Sequence, residues 1–264
     1  MERYKAIVAY DGTEYAGFQI QSGVRTIQGV LEEALCQLGW QGAHLLAAGR
    51  TDSGVHALGQ VVAFDLDWSH PPAALAPALN ARLPGDVRCR AVTRVANEFH
   101  PRYGARRRTY RYRVIESRQA DPLGERYAWR IWPALERGIL ERVSAALIGR
   151  KDFAAFGMPP RRGSTTVRHV MGSEWRPIEG ALEFTIQADA FLYRMVRMLV
   201  GSLVRVGQGR LAEADFLDLL GQPGAGHGGP AAPAKGLCLM RIDYEAPDVF
   251  EAEAPPTGAL SVTL

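Results

Sequence analysis

The densest concentration of reactive side chains in the sequence is the run Ala48-Gly49-Arg50-Thr51-Asp52-Ser53-Gly54-Val55-His56-Ala57. An arginine, a carboxylate and a histidine fall within seven residues there, bracketed by two glycines that permit tight turns. A carboxylate so presented can act as a nucleophile or as a general base. The same pattern also suits a plain turn in which Asp52 accepts hydrogen bonds from nearby amides. Spacing alone leaves both readings open.

A second cluster, Arg102-Tyr103-Gly104-Ala105-Arg106-Arg107-Arg108-Thr109-Tyr110-Arg111-Tyr112-Arg113, holds six arginines and three tyrosines and no acid. As a strand it puts Arg108, Tyr110, Tyr112 and Val114 on one face and Arg107, Thr109, Arg111 and Arg113 on the other. Arginine interleaved with aromatics suits a single-stranded nucleic-acid groove, where phosphate contact and base stacking act together. A solvated edge strand protected by charge is the alternative. A third candidate is the polar side of a helix over 191–206, where Arg194, Arg197 and Gly201 recur at i, i+3 and i+7. Arg194 is expected to meet solvent or phosphate. Arg197, on the flank of the apolar stripe, calls for a carboxylate partner that helical spacing cannot name.

Composition narrows the field. A chain of 264 residues with 47% hydrophobic and 22% charged content is that of a globular protein able to bury a sizeable core. No apolar run reaches the roughly 18–20 residues of a membrane span, and the first ten residues look like a strand rather than a signal peptide. A cytoplasmic location is therefore expected. Three scattered cysteines, Cys36, Cys89 and Cys238, make no disulfide framework and are expected to be small core residues. Six histidines without ligand spacing imply no metal, and Gly207-Gln208-Gly209 is too short for a dinucleotide fingerprint, so no cofactor is expected. Net charge is only +3, yet three of the 31 basic residues are lysine and the rest arginine, whose planar fork suits phosphate.

Two cycles of elements must position these residues. Residues 4–10 alternate as a strand, Val30 to Leu38 have helical spacing, 60–66 read as a strand, 73–82 as a short helix and 87–95 as a strand. A second cycle runs through a strand over 107–116, a helix marked by Ile139 to Leu147, strands near 168–176 and 181–189, and the helix over 191–206. A polar helix with Phe216, Leu219 and Leu220 follows, and residues 221–235 look like a flexible connection. The closing strand over 236–244 is expected to bury Cys238, Met240, Ile242 and Tyr244 on one face. The expected class is α+β: two similar halves with antiparallel sheets, residues 1–105 carrying the Asp52 loop and 106–245 carrying Tyr110 and Arg197, then a loose tail over 246–264. No sequence repeat relates the halves.

Gly49-Arg50-Thr51-Asp52-Ser53-Gly54-Val55-His56 closely resembles the signature of the tRNA pseudouridine synthase A family. Tyr10-Asp11-Gly12-Thr13 with Tyr15, Gly17, Phe18 and Gln19 resembles the family's opening, with Phe18 where tryptophan is usual. Gln28, Leu83-Pro84-Gly85-Asp86, Phe99-His100, Tyr110-Arg111-Tyr112, Asp152-Phe153, Met195-Val196-Arg197 and Lys235-Gly236-Leu237 fit in order. Ile20 stands where a basic residue is common. The resemblance implies two α+β halves around a central basic cleft, in a homodimer, converting uridine to pseudouridine at positions 38, 39 and 40 of the tRNA anticodon arm. It implies Asp52 as the catalytic aspartate, Tyr110 beside the uracil, Arg197 as the partner of the aspartate and Arg50 as the arginine that helps open the base stack. With the two clusters it makes His56, Arg106, Arg107, Arg108, Arg111, Tyr112 and Arg194 expected RNA contacts.

Overall fold

Alternating apolar residues make Glu2–Tyr10 a strand, β1, whose Tyr4, Ala6, Val8 and Tyr10 are buried on one face. In the computed structural model, which describes residues 1–159, 163–221 and 228–245, β1 leads to helix α1 (Ile27–Cys36). That helix starts where extended Thr26 accepts a hydrogen bond from the Gly29 amide, and it buries Ile27, Leu31, Ala34 and Leu35. The first half continues through β2 (Leu46–Ala47), β3 (His56–Leu66), α2 (Leu75–Asn80) and β4 (Val87–Arg94). The second comprises β5 (Ala105–Glu116), β6 (Trp129–Ile131), α3 (Arg137–Ala145), β7 (Gly149–Asp152), β8 (Val167–Ile178), β9 (Ala181–Ala188), α4 (Met195–Gly207), α5 (Glu213–Gly221) and β10 (Leu237–Tyr244).

The strands form one continuous sheet in the order β4-β1-β3-β10-β5-β9-β8-β7, with β2 beside β3 and β6 beside β5. Pairing is antiparallel except between β10 and β3 and between β5 and β6. The α+β architecture expected from the sequence is present, with the two sheets fused edge to edge. The fusing strand is β10, which pairs Cys238 with His56 on one side and Leu239 with Tyr110 on the other. Two apolar clusters lie along this sheet. One gathers Tyr4, Phe18, Leu31, Leu75 and Leu239; the other gathers Val114, Leu140, Phe184, Leu199 and Phe216. Tyr110 packs against both, so it stands at their seam.

Several expectations need correction. The last strand does not alternate simply: Leu237, Cys238, Leu239 and Ile242 are buried, whereas Met240 and Tyr244 are only half-buried. A register shift between Leu239 and Arg241 inserts one residue and returns Ile242, three positions on, to the core of Leu239. Helix α4 begins at Met195 rather than 191, because Arg194 has a left-handed backbone (φ 61°) that a helix cannot continue through. Of the stretch read as a flexible connection, 222–227 lie outside the described residues, but 228–235 dock on α4. The Gly229 amide donates to Ser202 Oγ, and the Ala232 amide donates to the Arg197 carbonyl. Gly201 permits this, since a Cβ there would stand 2.0 Å from the Pro230 carbonyl oxygen. Cys36 is exposed at the end of α1, while Cys89 and Cys238 are buried. The tail over 246–264 lies outside the described residues. Among those described, no helix is long and apolar enough to cross a membrane.

Candidate active site

A cleft of about 710 Å³ opens on one side of the sheet where the two halves meet. Its wall includes Asp52, Arg50, Tyr110, Phe191, Arg194 and Arg197. The loop bearing Asp52 is held from beneath by the residues that open the chain. The Phe18 amide donates to the Thr51 carbonyl, Tyr10 shares a hydrogen bond of 2.8 Å with the Thr51 hydroxyl, and the Ser53 hydroxyl donates to the Tyr15 carbonyl. Gly17, at φ +99°, lies where a Cβ would come within 2.9 Å of the Thr51 carbonyl oxygen, so a side chain there would push the loop away. Tyr15 and Arg25 are in turn anchored on Asp86 of the Leu83–Asp86 turn.

Asp52 is not folded back on local amides. Its Oδ2 accepts a hydrogen bond of 2.8 Å from Arg197 Nη1, across 145 residues of chain, with the two side chains 18% and 16% exposed. A directed N–H from a cation this close fixes the orientation of the carboxylate. Arg197 is itself braced, because its Nε donates to the Ala232 carbonyl at 2.8 Å. The Tyr110 and Phe191 rings meet at right angles, with centroids 5.1 Å apart and planes at 87°. Burial pushes its phenol up to about 12, an effect that Arg108 opposes and Asp52 reinforces. Tyr110 is therefore a neutral hydroxyl at physiological pH, able to donate or to stack but not a phenolate. No described residue hydrogen-bonds that hydroxyl.

The expected RNA contacts divide. Arg50 and Arg194 are exposed on the cleft wall, and neither pairs with a described carboxylate; the Arg194 guanidinium lies over the Tyr193 ring, 5.0 Å from its centroid. Arg108 also lines the cleft, but its guanidinium turns onto backbone carbonyls. Tyr112 is a correction: it is 0% exposed, its hydroxyl donates to the Pro233 carbonyl, and it belongs to the core. Arg111 and His56 are corrections too, since they line a separate cavity of about 400 Å³ around Tyr10, Cys238 and Tyr127. His56 is buried there, with Nδ1 3.1 Å from both the Gly12 amide and Asp11 Oδ1. Burial lowers its pKa more than Asp11 raises it, so the neutral ring accepts from Gly12. Arg106 and Arg107 leave the cleft wall as well, paired with Glu245 and Asp243 at 2.7 and 2.8 Å.

Sequence reasoning overlooked Gln60. It is fully buried and donates to the Gly49 carbonyl, fixing the start of the Asp52 loop. An amide side chain amid the apolar run Val61-Val62-Ala63 was the signal available, since a buried amide must find a partner.

A family model described as tRNA pseudouridine synthase matches residues 6–104 and 143–245. Curated relatives called tRNA pseudouridine synthase A match nearly end to end. The protein of Citrifermentans bemidjiense is 37% identical over 93% of this chain and 98% of its own length. That of Geobacter sulfurreducens is 38% identical over 92% of this chain and 100% of its own. That of Leuconostoc citreum is 39% identical over 92% and 98%.

Proposed function

Since the chain belongs to the tRNA pseudouridine synthase family, we propose that it isomerises uridine to pseudouridine at positions 38, 39 and 40 of the tRNA anticodon arm, with Asp52 as the catalytic carboxylate. The family is one of isomerases, and the reaction balances within the nucleotide. The C1′–N1 bond breaks, the uracil turns, C5 bonds to C1′, the C5 proton leaves and N1 gains one.

A stacked uridine must first be extruded, at a cost of about a few kcal/mol that is least in loops and at stem ends. Arg50 and Arg194, exposed on the cleft wall, are placed to take phosphates and offset that cost. Asp52, oriented by Arg197, faces the sugar and acts either as nucleophile and stabiliser or as base. Tyr110 stacks beside the uracil and, as a neutral phenol, relays the C5 proton after rejoining. The functional form is a homodimer, as the family resemblance implies.

The observation that carries this reading is the Asp52–Arg197 pair, set in a cleft that Tyr110 also lines. Tritium release from C5-labelled tRNA tests it. Asp52→Asn should lose turnover by about a thousandfold or more while retaining tRNA affinity; substantial residual release removes Asp52 from the mechanism.

A further inference from the structure

The other arginines of β5, Arg106, Arg107, Arg111 and Arg113, each find a carboxylate, but Arg108 does not. Its Nη1 donates to the Asp189 carbonyl, and its Nη2 donates to the carbonyls of Ala48 and Arg102 at 3.2 and 2.9 Å. Among the described residues no carboxylate lies within ion-pair distance of it. Three carbonyls from three segments therefore satisfy a half-buried cation. Burial lowers its pKa, although guanidinium remains charged at any physiological pH.

The position of those segments gives the contact its meaning. Ala48, 1% exposed, is the residue from which the Asp52 loop departs. Its amide is fixed on the Val61 carbonyl of β3, and its carbonyl on Arg108. The next carbonyl, of Gly49, is held by Gln60. The supports from Tyr10, Tyr15, Phe18 and Gln60 all come from the first half. Arg108 and Arg197 come from the second half, the one gripping the start of the loop and the other its carboxylate. The Arg102 carbonyl belongs to the segment that carries His100 and Tyr103 along the cleft, and Asp189 directly follows β9, two residues before Phe191. A planar fork can bind several carbonyls at fixed angles, whereas a lysine ammonium holds them only as a point charge.

We propose that Arg108 is a positioning residue: it staples the start of the Asp52 loop to the second half and so sets the Asp52–Arg197 geometry, rather than holding an RNA phosphate. This rests on the assignment of Asp52 as the reacting carboxylate. Misplacing a reacting group by about 1 Å can cost about a hundredfold in rate. Loss of the fork should therefore appear in turnover rather than in affinity.

The experiment compares Arg108→Lys, Arg108→Gln and Asp52→Asn in single-turnover C5-tritium release at saturating tRNA, with tRNA affinity measured across a salt series. Arg108→Lys should slow the single-turnover rate by about tenfold and Arg108→Gln by about a hundredfold, both with parental affinity and parental salt slope. A parental rate in Arg108→Lys overturns the proposal, even if Arg108→Gln does not fold. It is equally overturned if Arg108→Gln keeps the rate, weakens binding and reduces the salt slope by about one phosphate's share, about 0.7–0.9. Turnover persisting in Asp52→Asn would instead defeat the reading of Asp52, whatever the Arg108 variants do.

Discussion

The two faces of strand β5 carry much the same chemistry in the sequence and quite different chemistry in the fold. On the far face, Arg107 pairs with Asp243 of β10, and Arg111 and Arg113 share Glu183 of β9. On the cleft face, Arg108 meets only carbonyls, and Tyr110 meets the Phe191 ring and lines the cleft. The absence of acids within 102–113 had suggested a uniformly basic, RNA-facing strand. A strand's electrostatic neighbours, however, are on the adjacent strands, and here those supply carboxylates to Arg107, Arg111 and Arg113, while Arg106 pairs with Glu245 just past β10. Positive charge left free for a polyanion comes instead from loop and helix-end residues such as Arg50 and Arg194.

The contrast can be broken most sharply at Arg197. Arg197→Gln removes the cation from a half-buried carboxylate and should lower kcat by about a hundredfold or more, with tRNA affinity nearly unchanged. An affinity loss with kcat intact would place Arg197 among the RNA contacts instead. Next comes a matched pair. Arg50→Gln should weaken tRNA binding several-fold and lower the salt slope by about 0.7–0.9. Arg111→Gln, which removes a paired far-face charge, should leave affinity and slope at parental values and cost at most about 1 kcal/mol of stability. Equal slopes for the two variants would abolish the distinction between the faces.

The smallest effect belongs to His56, on the far side. Burial depresses its folded pKa below the unfolded value of about 6.5. Stability is therefore complete above that pH and declines as pH falls through it, when the unfolded chain takes up a proton that the folded one refuses. Thermal melts at pH 7.5 and 5.5 should show a larger acid-side loss for the parent than for His56→Gln, by no more than about 1 kcal/mol. Asp11 does not confuse this window. Burial alone would raise its carboxyl, but hydrogen bonds from Thr13, Tyr127 and Arg126 hold it well below the usual range, so its contribution is lost only in stronger acid.

Most of the element sequence was legible because period-2 and helical patterns are local. The strand over 107–116 and the α4 stripe from Met195 through Leu203 needed nothing beyond their own side chains. What escaped depended on distant partners. The β10 bulge arises from pairing with β5, and residues 228–235, rich in glycine and proline, looked loose because their anchorage is on Ser202 and Arg197. In the site, Asp52 was legible as reactive from its loop, but its link to Arg197 spans 145 residues and no spacing could disclose it; only the family resemblance named it. Tyr112 was misplaced for a related reason. Alternation put it beside Tyr110, yet Pro233 and Gly236 close over it, and a strand pattern carries no information about what covers each end of a face.

The central place of β10 has a consequence for biosynthesis. The strand made last among those described is the one that zips β3 to β5. On the ribosome the first half can collect its own apolar side chains early, but the groove between the lobes stays unsealed until residues 237–244 have left the exit tunnel. A nascent chain without β10 thus has an unfinished cleft, and the inner edges of β3 and β5 are what a chaperone would have to shield in the interval.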